Sequence, residues 1–131
     1  MGGHPYQYVV AYDDDLQGAL DRLRRDVFER GDYHGAERRP KTPEQALERA
    51  GETGTPSILD ILTVREQPDY SCAAPLTPDE LTRYFGTDRP SVQAVEASDD
   101  FWEDLERGKA RCLVVYDGGQ RMLLFAGYSF D

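Results

Sequence analysis

The spacing of hydrophobic residues along this chain changes several times, and each change marks an element. Tyr6-Gln7-Tyr8-Val9-Val10-Ala11-Tyr12 is dense in β-formers and predicts a first strand. Strict alternation puts Tyr6, Tyr8 and Tyr12 on one face, with Val10 between them. From Leu16 the period becomes helical: Leu16, Ala19, Leu20, Leu23 and Val27 fall on one stripe. Asp13-Asp14-Asp15 opens this helix, with Asp14 the expected N-cap and Gln17 three residues on. Gly31 closes it. On the wet side, Asp21–Arg25 and Arg22–Asp26 are opposite charges at i,i+4 spacing.

Residues 32–41 read as a loop. Thr42-Pro43-Glu44-Gln45 then combines a cap, a first-turn proline and a capping-box residue, and predicts a short helix to Ala50 with Ala46, Leu47 and Ala50 inward and Gly51 as its stop. Ser57 to Glu66 carries Ile58, Leu59, Ile61, Leu62 and Val64 almost without interruption and reads as a central strand covered on both faces. Asp60 alone breaks it, and a salt bridge to an arginine is the expected remedy. Thr77-Pro78-Asp79-Glu80 repeats the helix-start signal, with Leu81, Tyr84 and Phe85 as its apolar side. Ser91 and Ser98 each cap a further short helix, the second burying Phe101, Trp102 and Leu105 and stopping at Gly108. Ala110–Tyr116 and Arg121–Ser129 are strands around Asp117-Gly118-Gly119, a hairpin signal.

The predicted order is β-α-α-β-α-α-β-β. It implies an α+β fold with a single-layer antiparallel or mixed sheet of about four strands, helices packed on it, and a C-terminal β-hairpin. With 131 residues, no repeat and no linker, residues 1–131 read as one domain.

Charge narrows the function classes. The formal net charge is −10, with most of the excess acid beyond residue 50. Such a surface repels phosphate backbones, so nucleic acid is not an expected partner, whereas a protein with a basic surface is. The start, Met1-Gly2-Gly3-His4-Pro5-Tyr6, lacks a secretory pattern, and Tyr6 stands where a myristoylation signal wants Ser or Thr. No apolar run is long enough to span a bilayer, so no membrane association and a cytoplasmic location are expected. Cys72 and Cys112 sit in no metal-ligand spacing and are expected to stay reduced.

The sharpest candidate site is the acidic stretch Glu96, Asp99, Asp100, Glu103, Asp104 and Glu106, with Trp102 inside it. Asp99–Glu103 and Asp100–Asp104 are like charges at i,i+4 spacing, mildly unfavourable unless something neutralises them. A basic partner would do so, and tryptophan suits a binding hot spot; the plainer reading is a solvated face with Trp102 in the core. Tyr116 and Tyr128 can extend the Tyr6, Tyr8 and Tyr12 face into an aromatic surface.

Catalytic signals are weaker. Cys72 lies in an expected loop, Asp69 to Pro75, and a nucleophilic thiol would need His34 beside it. Cys112 reads as packing. Asp13-Asp14-Asp15 and Asp99-Asp100 lack a calcium-loop pattern, and Gly118-Gly119 precedes no helix that could cradle phosphate. No metal or cofactor is therefore expected. Arg38-Arg39-Pro40-Lys41 is a basic island in a loop. Together these point to a small acidic binding protein of the immunity or inhibitor kind. The alternatives are a small enzyme with a loop site around His34, Cys72 and Asp69, or a structural assembly subunit.

Overall fold

The computed structural model describes residues 4–51 and 54–130. Its frame is a five-stranded mixed sheet of β1 (Pro5–Ala11), β2 (Thr63–Val64), β3 (Cys72–Pro75), β4 (Ala110–Asp117) and β5 (Gln120–Tyr128), in the order β1-β5-β4-β3-β2. The fold is α+β as expected, with five strands where about four were expected. β5 runs antiparallel to both β1 and β4, while β2, β3 and β4 are parallel. Gly118 and Gly119 take φ of 57° and 85° to turn β4 into β5, the left-handed pair that a two-residue hairpin loop demands.

Among the described residues, five α-helices cover the two faces. On one side lie α1 (Leu16–Arg30) and α2 (Pro43–Ala50), with a 3₁₀ turn at Ile58–Asp60. Their core joins Leu20, Leu23 and Val27 to Tyr6, Cys112, Leu123 and Phe125 of the sheet. On the other side lie α3 (Pro78–Phe85), α4 (Val92–Ala97) and α5 (Asp99–Asp104). There Val95 and Phe101 pack on Leu113, Val115, Leu124 and Ala126. Alternation along β4 and β5 therefore feeds two cores from one sheet.

The helix starts follow the local chemistry. The side chains of Thr42, Thr77, Ser91 and Ser98 all accept a backbone N–H at their helix starts, and Thr77 forms a full capping box with Glu80. For α1 the cap is Asp15, one residue later than expected, because its carboxylate reaches the Gly18 N–H at 3.0 Å. Gln17 instead crosses to β2, accepting from the Val64 N–H at 2.8 Å and donating to the Leu62 carbonyl at 3.2 Å. The expected pairs Asp21–Arg25 and Arg22–Asp26 do not form. Arg22 reaches back to Asp13 at 2.6 Å, and Asp26 pairs with Arg30 at 3.1 Å.

The stretch Ser57–Glu66 departs most from expectation. Ser57 accepts the Leu59 N–H and starts the 3₁₀ turn, leaving only Thr63–Val64 as a strand at the sheet edge. Ile58, Leu59 and Ile61 are fully buried between α1, α2 and the sheet. A short apolar run enclosed on all sides has the same pattern whether it is strand or turn. Cys72 likewise lies in β3, buried, and not in a loop. Helix α5 ends at Asp104, short of Gly108, because Leu105 turns extended and Gly108 joins Tyr128 of β5 through a 2.9 Å backbone bond. No helix among the described residues is long and apolar enough to cross a membrane.

Candidate functional site

Ser98 divides the acidic stretch into two helices. It ends α4, its hydroxyl caps α5 through the Phe101 N–H, and the same hydroxyl donates to the Tyr84 carbonyl at 2.9 Å. This bend puts Glu96 on a different helix from Asp99, Asp100, Glu103 and Asp104. Glu96, on α4, accepts from the Gln7 amide at 3.2 Å. Asp104 accepts the Tyr84 hydroxyl at 2.6 Å, and burial of the phenol together with that bond holds the Tyr84 pKa above its ordinary value. Glu106 lies past the helix and pairs with Lys109 at 3.0 Å. Asp99, Asp100 and Glu103 remain exposed, with no side-chain partner among the described residues. The unneutralised part of the stretch is thus one turn and a half of α5.

Trp102, between these acids, is half-buried. Its indole N–H donates to the Val95 carbonyl at 3.0 Å, and its ring meets Phe101 and Tyr128 edge-on at 5.4 and 6.2 Å. The ring thus anchors α5 to the second core. It also lines an open cleft of about 430 Å³, which Pro5, Gln7, Glu96 and Tyr128 share. The acidic turn and this aromatic cleft adjoin at Trp102.

The tyrosine row splits between the two faces. Tyr6 is buried, with Tyr8 and Tyr12 packed on the same core. Burial, chiefly, raises both the Tyr6 and the Tyr8 phenols above their ordinary range. The Tyr12 hydroxyl donates to Asp14 at 2.5 Å, and the Arg121 guanidinium sits 4.0 Å from its ring. Tyr116 stacks under Arg89, while Tyr128 lies on the opposite face against Trp102 and does not extend the row.

The other candidates find structural partners. Asp13 pairs with Arg22, Asp14 takes the Tyr12 hydroxyl, and Asp15 caps α1. Among the described residues no group of three or more His, Cys, Asp or Glu is placed to hold a metal ion. The Cys72 thiol lies 3.3 Å from the Thr63 hydroxyl, Asp69 accepts the Tyr70 N–H, and exposed His34 is held through its backbone to Thr55. The Cys72 N–H donates to the Asp69 carbonyl at 3.2 Å, but no side-chain hydrogen bond joins His34, Cys72 and Asp69 among the described residues. Burial pushes the Cys112 thiol up to about 12. In the basic loop, Arg38 and Arg49 each donate to the other's carbonyl, at 3.3 and 2.9 Å, beside a small cleft of about 90 Å³.

Asp60 corrects an expectation. It has no ion pair; the Thr55 N–H and hydroxyl donate to one carboxylate oxygen at 2.7 and 2.8 Å. The other oxygen has no partner and lies against Gly54, and burial raises the carboxyl pKa. Arg24, the nearest arginine in effect, donates to the Leu59 carbonyl at 2.9 Å instead. The cleft beside Trp102 escaped sequence reasoning because strand β1 and helix α5 are distant in the chain. The one available signal was Gln7 and Tyr128, a polar and an aromatic residue within the first and last predicted strands. No family model, curated protein or solved structure matches this chain.

Proposed function

We propose that this chain is a non-enzymatic binding protein that docks a partner with a basic surface, in the manner of an inhibitor or immunity protein. The observation that carries this reading is the turn of α5 on which Asp99, Asp100 and Glu103 face water with no ion pair among the described residues. Asp99 and Asp100 gain from the positive end of the helix dipole, but Glu103 does not, and Asp99–Glu103 repel at i,i+4 spacing. A local pattern unfavourable to the free protein becomes favourable when a basic surface covers it. Trp102 adjoins it, rigid and half-exposed, as a hot-spot residue requires. Electrostatic steering by a net charge of −10 would speed the encounter.

The test is co-purification from the native cell at low salt, followed by Asp99→Lys, Asp100→Lys and Glu103→Lys in one variant. Recovery of one basic protein, lost in the variant and weakened by salt, supports the role. Undiminished association of the charge-reversed chain removes it. Asp104 is left untouched because Tyr84 holds it.

A further inference from the structure

Strand β1 stands at the edge of the sheet, paired on one side only. Ser129 donates its N–H to the His4 carbonyl, and the register continues through Tyr6↔Gly127, Tyr8↔Phe125 and Val10↔Leu123. In an antiparallel ladder these alternate residues exchange hydrogen bonds with β5, so the N–H groups of Gln7, Val9 and Ala11 point outward. No described residue accepts them. Edge strands are normally guarded by charge, proline, a bulge or a covering segment; here Pro5 blocks only the first outward position, and the rest of the strand contains no charged residue, pairs without a bulge, and leaves Val9 39% exposed.

A cleft flanks this edge on each face of the sheet. Towards α1, Val10, Ala19 and Leu23 line a hollow of about 200 Å³, with Asp26 at its rim and its one arginine, Arg22, already paired with Asp13. On the opposite face lies the larger cleft of about 430 Å³, with the Trp102 and Tyr128 rings and the Glu96 carboxylate. A strand laid along β1 would turn alternate side chains to opposite faces, so that one enters the Trp102 cleft beside Pro5 and Gln7 and another the α1 hollow beside Val10 and Ala11, which is the arrangement by which strand addition combines backbone affinity with side-chain choice.

The geometry points to β1 as the docking edge for an extended segment of the partner, with aliphatic side chains on its α1 side and arginine or lysine on its Trp102 side. The first hollow is walled mainly by aliphatic carbon. In the second, an aromatic face and the Glu96 carboxylate, which takes one bond from the neutral Gln7 amide and has no ion pair among the described residues, together select a cation. A second copy of this chain fits poorly, since it offers an uncharged strand followed by Asp13-Asp14-Asp15 to a rim already acidic. This deepens the binding role proposed above and rests on it.

The test uses the full chain with the peptide acetyl-Val-Arg-Val-Arg-Val-Arg-Val-amide, following Trp102 fluorescence and amide hydrogen exchange. The expected result is saturable binding with at least tenfold slower exchange at Gln7, Val9 and Ala11, while the β5-bonded amides of Tyr6, Tyr8 and Val10 change little. Val9→Lys, at an exposed position outside both cores, should weaken binding at least tenfold with the native circular dichroism retained. Glu96→Arg should lose the arginine peptide and gain its Val-Glu counterpart. Absence of protection at those three amides, equal binding by Val9→Lys, or concentration-dependent protection without peptide together with a dimer by light scattering would each overturn the inference. Should the natural partner bind Val9→Lys fully but not the α5 charge-reversed chain, the binding role stands and the edge is not its site.

Discussion

Gly127 and Asp60 show how single atoms decide what the sheet tolerates. Gly127 lies beneath the Tyr6 ring, where an added Cβ would stand 2.6 Å from the phenol oxygen and 2.8 Å from the Lys109 carbonyl oxygen. The second of these belongs to backbone at the start of the parallel and antiparallel ladders and cannot swing aside. Gly127→Ala should therefore destabilise the fold by about 1–3 kcal/mol in urea unfolding. Asp60 makes a different prediction, because burial raises its pKa above the ordinary 3.8. A carboxyl raised in the folded state supports folding below its unfolded value, and that support is lost as pH rises through the folded value. Asp60→Asn keeps an acceptor for Thr55 and removes the charge. Its stability relative to the natural protein should rise between pH 4 and pH 7, checked by unfolding curves across that range.

At the scale of elements, the strongest polar joint ties α3 to the sheet. Arg111 on β4 donates to both Glu80 oxygens, at 3.1 and 2.7 Å, and to the Ala74 and Pro75 carbonyls of β3 at 3.0 and 3.3 Å. Glu80 also closes the capping box, and the Arg111 guanidinium, foremost, holds its carboxyl below the ordinary 4.5. Here the sign reverses: the stabilisation is present above the unfolded pKa and lost as pH falls through the depressed one. Glu80→Gln should cost about 2 kcal/mol at pH 7, and the gap to the natural protein should close as acid is added, in the same unfolding assay. The capping half of this joint was legible in Thr77-Pro78-Asp79-Glu80, because caps are local. The half that grips β3 was not, since Cys72-Ala73-Ala74-Pro75 carries no β-branched or aromatic residue to mark a strand. The same division runs through the candidate site. Six acids were visible in order along the chain. Tyr84, Gln7 and Lys109, which engage three of them, reach Asp104 and Glu96 from 20 and 89 residues away and Glu106 from across the Gly108 turn.

For the whole molecule, charge acts on the fold and on association in opposite directions. With a net charge of −10, the folded chain repels itself, and compaction gathers charges that the unfolded chain spreads apart. Raising the salt from roughly 10 mM to 150 mM shortens the screening length from about 30 Å to about 8 Å, which relieves repulsion between exposed acids. Few exposed ion pairs stand to be lost in exchange, since Arg22–Asp13 and Arg30–Asp26 are of the weak surface kind. The melting temperature of the isolated chain should therefore rise by a few degrees over that range, on the order of 1 kcal/mol or less. Association with a basic partner should slow by about tenfold over the same range, because steering depends on the unscreened field. Paired salt titrations of calorimetric melting and stopped-flow association would separate the two. A melting temperature that falls with salt would mean that attractive pairs dominate the surface. An association rate indifferent to salt would mean that the acidic face is solvated and plays no part in docking.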